Sequence, residues 1–206
     1  TINYVVRSAK NSHIFHEIIV VNDGSRDNTA QLLSLEKGII FINLPQNLGK
    51  GGAVWRGLQQ ATGDIILMLD ADLIGLTKYH FRMLLRPLLK KKADVCIGIV
   101  MHKEKKWSSF IQKTGSDLSG QQAFWKKNII DANIKNTRFG LEIALKNHFK
   151  KKNLKTEKIY LEGVKHIMKE EKMGVTKGLE ARIKMFSEIG KEIASSIKDK
   201  INEKSG

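Results

Sequence analysis

The sequence predicts an α/β fold with a mostly parallel sheet flanked by helices. Short apolar runs rich in β-branched residues recur at 18–21, 38–43, 65–69 and 94–100. Stretches with apolar residues at helical spacing lie between them. Strands apolar on both faces belong to a sheet covered on both sides, and strand–helix alternation makes right-handed crossovers between parallel strands. Acidic or polar loops also stand at the carboxyl ends of the first and third runs, which is where open parallel sheets bind ligands.

Taken in order, residues 1–10 read as a helix with Ile2, Val5, Val6 and Ala9 on one face. The run 18–21 is a buried strand that ends at Asn22-Asp23-Gly24-Ser25. Asp27 or Asn28 caps a helix that reaches Ser34 or Leu35. A strand follows at 38–43, then a glycine-rich loop at 47–52 and a helix at 53–61 stopped by Gly63. The strand 65–69 enters Asp70-Ala71-Asp72 directly. A helix at 79–89 and a strand at 94–100 come next. Residues 103–120 are polar and lack periodicity, 143–149 read as helix and 158–161 as a short strand. Leu179, Ile183, Phe186, Ile189, Ile193 and Ile197 have helical spacing, with lysines on the opposite face. The expected organisation is a catalytic domain over 1–175 and a basic amphipathic segment over 176–206.

The 206 residues are 41% hydrophobic and carry a net charge of +15. That is the composition of a folded chain with an anionic partner or a solvated lysine surface. Nucleic acid is one such partner, but aromatics at 7% and no basic–aromatic stripe weigh against it. Cys96, the single cysteine, excludes an internal disulfide and a multi-cysteine zinc site. Its setting in Val95-Cys96-Ile97 reads as a buried, inert thiol. No apolar stretch approaches the ~20 residues that span a bilayer, and no signal peptide is visible. The expectation is a cytoplasmic chain, peripheral on the inner face of the membrane if the basic segment meets anionic headgroups. The other reading packs that segment on the domain with its lysines solvated.

Asp70-Ala71-Asp72 offers hard oxygen ligands at a strand end, suited to Mg²⁺ or Mn²⁺. The triplet alone is better explained as two carboxylates solvating a loop. Its context is more specific. Val20-Val21-Asn22-Asp23-Gly24-Ser25-Arg26-Asp27-Asn28-Thr29 precedes Asn47-Leu48-Gly49-Lys50-Gly51-Gly52-Ala53. Ala61-Thr62-Gly63-Asp64 and Leu69-Asp70-Ala71-Asp72-Leu73 follow. This order and spacing resembles family 2 glycosyltransferases of the GT-A (nucleotide-diphospho-sugar transferase) fold. The likeness is to the polyprenyl-phosphate sugar synthase branch and, more distantly, to glucosyl-3-phosphoglycerate synthase. It continues less tightly through Leu118-Ser119-Gly120-Gln121, Arg138-Phe139-Gly140-Leu141-Glu142, His166 and Lys169-Glu170-Glu171-Lys172.

The resemblance implies metal-dependent transfer from a UDP- or GDP-sugar to a phosphorylated small molecule or lipid phosphate. It gives Asp23 the nucleotide base, with Gly24 and Ser25 beside it. Lys50 and Gly51 approach the nucleotide or its phosphates. Asp70 and Ala71 face the sugar or ribose, and Asp72 and His166 hold the metal. Ser119 and Gly120 line the sugar and acceptor pocket, and Arg138 binds an acceptor phosphate or lies on the surface. Glu142 orients the acceptor or acts as a base, so that Asp70 and Glu142 form the catalytic pair. A structural ion pair is the other reading of Glu142, and plain exposure that of His166.

Two departures from the family are visible. Asn22 stands where Asp is usual. Thr1-Ile2-Asn3-Tyr4 falls within what resembles the helix after the family's opening strand and Pro-Ala-Tyr-Asn-Glu type loop. The expectation is a sheet without that first strand, and an inactive truncated glycosyltransferase is the corresponding alternative. A related nucleotidyltransferase shares the layout, but the Asn-Asp-Gly-Ser loop favours the glycosyl class.

Overall fold

The computed structural model describes residues 2–100, 119–138 and 140–167. The polar segment up to Leu118, Phe139, the Lys169–Lys172 motif and the basic segment 176–206 lie outside the described residues.

Each predicted strand and helix among the described residues forms, with shifted ends. Helix α1 spans Ile2–Ser12 and buries Val5, Val6, Ala9 and Ser12. Strand β1 is Ile19–Asn22, α2 is Thr29–Ser34 and β2 is Ile40–Asn43. Helix α3 covers Gly49–Gln60 and leads to β3, Ile65–Met68. A two-residue strand β4, Leu73–Ile74, precedes α4, Lys78–Leu89. Thr77 opens α4 with a capping box, its N–H donating to His80 Nδ1 at 3.1 Å. Strand β5 is Val95–Val100 and β6 is Gln122–Trp125. Helix α5 is Leu141–Lys151, followed by β7, Thr156–Leu161, and β8, Lys165–His166.

Strands β1 and β2 pair in parallel, Ile19 opposite Ile40 and Asn22 opposite Asn43. A second sheet has the order β3-β6-β5-β7. Within it β5 and β7 are parallel, and β6 runs antiparallel to both β3 and β5. Strands β3, β5 and β7 therefore share one direction, and β6 alone reverses it. The sequence pattern did not predict β6. It follows a polar stretch, spans four residues and opens on Gln122, so it lacks the apolar alternation that marks a strand.

Both faces of this sheet are covered, and its central strands alternate accordingly. Cys96 and Ala123 face a cluster with Leu73, Phe81, Leu84, Leu88 and Leu161. Val95, Ile97 and Phe124 face the opposite cluster with Ile129, Ile134, Leu141 and Leu145. Burying each large side chain contributes about 1.5–3 kcal/mol. Ahead of β1, Glu17 Oε1 accepts the Thr62 and Gly63 N–H groups at 2.7 and 2.9 Å. That contact ties the entry of β1 to the turn before β3, so the acidic rims of these strands lie at corresponding ends.

Candidate functional site

The first rim is organised by amides. Asn22 is buried, donates through Nδ2 to Asn43 Oδ1 at 2.7 Å and accepts the Ser25 N–H at 3.2 Å. It thus uses both halves of its amide, joining the carboxyl ends of β1 and β2 and bracing the turn that follows. Gly24 follows with φ +71°. Asp23 then accepts the Leu48 N–H at 2.7 Å through Oδ1, while its carbonyl accepts Asn47 Nδ2 at 2.8 Å. A carboxylate therefore stands at the N-terminus of α3, where the helix dipole favours negative charge.

The glycine run departs from expectation. Residues 49–52 are not an open loop but the first turn of α3. The Lys50 and Gly51 N–H groups donate to the carbonyls of Arg138 and Thr137 at 3.0 and 2.8 Å. A Cβ on Gly51 would lie 2.0 Å from Thr137 Oγ1 and 2.2 Å from the Ile134 carbonyl oxygen. Gly51 serves close packing of the helix against residues 134–138.

Lys50 reaches the opposite way, into the rim of the larger sheet. Its Nζ is 2.5 Å from Asp70 Oδ1 and 2.5 Å from Glu142 Oε1. Burial pulls the ammonium pKa down, but Asp70 and Glu142 outweigh it and hold Lys50 above its ordinary range. Lys50 is thus an ammonium at any working pH. Glu142 sits in the first turn of α5 and Asp70 just past β3. The remaining Asp70 oxygen, Oδ2, accepts Gln121 Nε2 at 2.7 Å. Ser119 and Gly120 lie beside it, and a Cβ on Gly120 would fall 2.3 Å from both Asp70 oxygens.

The second half of the rim depends on β4 and β8. Leu73 and His166 are register partners in this antiparallel pair, and the Ile167 N–H donates to the Asp72 carbonyl at 2.9 Å. His166 Nδ1 consequently meets Asp72 Oδ1 at 3.0 Å. Asp70, Asp72 and His166 each offer a ligand atom within 4.8 Å of the others. Two carboxylates and an imidazole suit a divalent cation of the Mg²⁺ or Mn²⁺ type. The charges agree with that fit. Three carboxylates (Asp70, Asp72, Glu142) and one ammonium (Lys50) give −3 + 1 = −2 with His166 neutral.

Beside the first rim and the start of α3 lies a cleft of ≈ 290 Å³ lined by Asp23, Asn47, Gly49, Lys50, Ala53 and Arg138. Exposed Arg138 donates to Asn47 Oδ1 at 2.9 Å across one wall of that cleft. Ser25 and Ala71 are exposed beside their rims. Cys96 is fully buried, and its thiol pKa is pushed up to about 12 by burial and by the Glu157 carboxylate.

A family model described as glycosyl transferase family 2 matches residues 1–160. The chain belongs to that family. Two Trichomonas vaginalis proteins to which this chain is similar are named dolichyl-phosphate beta-glucosyltransferases. ALG5C is 46% identical over 83 residues, or 38% of this chain and 24% of its own length. ALG5D is 38% identical over 127 residues, or 55% of this chain and 38% of its own length. The chain thus spans well under half of these relatives.

The family 2 chain also shares its fold with glucosyl-3-phosphoglycerate synthase of Mycobacterium tuberculosis, crystallised with Mn²⁺, UDP and glucosyl-3-phosphoglycerate. The TM-score is 0.73 at 22% identity, covering 95% of this chain and 74% of that one. The architecture is accordingly GT-A, as the sequence predicted. Among the described residues no helix is long and apolar enough to cross a membrane.

The sequence motifs brought Asp23, Lys50, Asp70, Glu142, Asp72, His166, Ser119 and Gly120 into view. The structure places Lys50, Asp70 and Glu142 in direct contact, and Asp72 with His166. Gln121 and Asn47 were not among the candidates. Both stand inside the quoted motifs, but an amide carries no signal of its own until its partner across the fold is known.

Proposed function

We propose that this chain is the catalytic domain of a divalent-metal-dependent hexosyltransferase that uses a nucleotide-diphosphate sugar. The observation that carries this reading is Asp70, which is shared between the Lys50–Glu142 ion group and the Asp72–His166 cluster. One carboxylate thereby links a cation-binding cluster to a fixed ammonium beside a cleft. Asp72, His166 and Asp70 would hold Mn²⁺ or Mg²⁺, which would supply Lewis-acid stabilisation of a leaving diphosphate.

The chain's own residues do the rest. Asp23 anchors the base end of the cleft, and its second oxygen accepts a ring or exocyclic N–H. Lys50 keeps Asp70 and Glu142 in place and supplies fixed positive charge near the phosphates. Ser119 and Gly120 border the sugar. Glu142 orients the acceptor or takes its proton when the acceptor is a hydroxyl. A phosphate acceptor is already ionised and needs only orientation. Arg138, at the cleft wall, is suited to an acceptor or donor phosphate.

The Trichomonas relatives are named for a dolichyl-phosphate acceptor, and the Mycobacterium structures contain UDP-glucose with phosphoglyceric acid or glycerol 3-phosphate. These names support a nucleotide-sugar donor and a lipid-phosphate or small phosphorylated acceptor here, and UDP- or GDP-sugars are the donors proposed. A lipid acceptor calls for peripheral contact with a membrane on the cytoplasmic side, the location proposed for this chain.

The test is a thermal-shift panel of UDP-, GDP- and dTDP-glucose, each with and without Mn²⁺. At a ligand concentration one hundred times Kd, the expected rise is about 5–10 °C. A rise with one nucleotide only in the presence of metal supports the reading and names the donor base. No rise with any of the three overturns it.

A further inference from the structure

The carboxylate of Asp70 is held on one side by a neutral group that the family reading does not use. Gln121 is 1% exposed, and its Nε2 donates to Asp70 Oδ2 at 2.7 Å. The orientation of that amide is fixed by chemistry. A carboxylate only accepts, so the nitrogen must face Asp70 and Oε1 must face the other way. There Oε1 lies 2.6 Å from Ser119 Oγ, which also stands 2.5 Å from the Gly98 carbonyl oxygen and 3.3 Å from the Gln121 N–H. The Ser119 hydroxyl thus has one proton beside two acceptors and takes one donor in return, a compact network with little freedom. The Gln121 main chain is itself pinned, its carbonyl accepting the Gly98 N–H at 2.7 Å. Gly120, between the two residues, leaves the space in which the Asp70 carboxylate sits.

From this we infer that Gln121 is a positioning residue for the cation site: it holds Oδ2 of Asp70 while Lys50 holds Oδ1, and so fixes the plane of that carboxylate beside the Asp72–His166 cluster. The inference rests on the proposed metal-dependent reading of that cluster. A neutral donor suits the task. An arginine or lysine at 121 would hold Oδ2 more strongly but would cancel the negative charge that attracts a cation. The glutamine holds the geometry and leaves the charge intact. Ser119 acts one step further out, through the Gln121 amide.

The experiment is a Mn²⁺ titration of the full chain, read by the electron paramagnetic resonance of free Mn²⁺, with no nucleotide present. Wild type is compared with Gln121→Leu, Gln121→Glu and Ser119→Ala. Replacing groups that orient metal ligands typically costs 10- to 100-fold in metal affinity. Gln121→Leu is expected to weaken Mn²⁺ by about tenfold or more, and Ser119→Ala by less. Gln121→Glu separates orientation from charge. If proximity of negative charge were all that mattered, the added carboxylate would tighten Mn²⁺; as a positioning effect, it loses the N–H donor and weakens binding. Equal Mn²⁺ affinity in wild type and Gln121→Leu, or tighter binding in Gln121→Glu, overturns the inference while leaving the metal reading standing. If Gln121→Leu fails to fold, Ser119→Ala and Gln121→Glu decide the matter. Wild-type protein that takes up no Mn²⁺ overturns the metal reading itself, and the inference with it.

Discussion

His166 Nδ1 stands 3.0 Å from Asp72 Oδ1, although the two residues are 94 positions apart in the chain. The contact follows from the register of β4 and β8, in which Leu73 lies opposite His166. An imidazole whose Nδ1 donates to a carboxylate has its tautomer set, leaving Nε2 as a lone-pair donor, the usual arrangement around a metal ligand. Removing either side chain should therefore affect cation binding rather than folding. Asp72→Ala and His166→Ala should each abolish the Mn²⁺-dependent part of a nucleotide-sugar thermal shift. Their melting temperatures without ligand should stay within about 2 °C of wild type, since rim groups contribute little to the core. A full Mn²⁺-dependent shift in either variant removes that residue from the site.

Lys50 holds two carboxylates that would otherwise face each other. Lys50→Met should destabilise the metal-free protein by about 1–2 kcal/mol, the value for charged hydrogen bonds discounted for partial exposure. Urea denaturation measures this directly. Saturating Mn²⁺ should recover part of the loss, because a cation again neutralises Asp70. No change in the urea midpoint would show that Asp70 and Glu142 tolerate each other without their ammonium.

Glu17 gives the fold a defined acid sensitivity. The Gly63 N–H and the Thr62 N–H and hydroxyl hold its carboxyl below the ordinary value of 4.5, against a smaller opposing effect of burial. Its contribution to stability is complete above about pH 4.5 and is lost as the pH falls through the depressed native value. Glu17→Gln should flatten the acid limb of the stability–pH curve below pH ~4.5 and leave neutral stability less affected. Urea midpoints between pH 3 and 6 test this; an identical acid limb in the variant would assign the acid response elsewhere.

Gly51→Ala places a methyl 2.0 Å from Thr137 Oγ1 and 2.2 Å from the Ile134 carbonyl oxygen. Either α3 or residues 134–138 must move, at a cost of about 1–3 kcal/mol or more. A calorimetric melting temperature unchanged by the substitution would mean that the two segments yield freely.

Cys96 is fully buried with its pKa near 12, so the native protein should not react with a thiol-directed chromogenic disulfide at pH 8. One equivalent should react after denaturation in guanidinium. Rapid native labelling would contradict the packing of β5.

Much of this was legible in the residues. The apolar, β-branched runs that became β1, β3 and β5 announced buried strands because both sheet faces needed covering. Asp23, Asp70 and Asp72 were legible as rim groups because each directly follows such a run. Where the reading fell short, the missing information was tertiary. Gly49 to Gly52 looked like a loop because glycine disfavours helix; the structure uses their small size to dock the first turn of α3 on residues 134–138, a contact with no local trace. Strand β6 was invisible because it is short and opens on Gln122, whose amide answers to Ser119, just after Gln121, whose amide answers to Asp70. Asn22, a departure from the family pattern, makes sense only beside Asn43.

The reversed direction of β6 also sets an order of events during synthesis. In the finished sheet β3 and β5 never touch; each is bonded to β6. As the chain leaves the ribosome, both strands emerge with their inner edges bare, and they stay so until Gln122–Trp125 appears. At about 5–20 residues per second, the wait after β5 lasts on the order of 1–5 s. For that interval the nascent chain presents two apolar strand edges, the kind of surface that chaperones capture and that crowded polysomes penalise. Gln121, whose amide holds Asp70, emerges immediately before β6, whereas β7, Glu142 and His166 follow later, so the larger sheet and the site are both finished only after this interval.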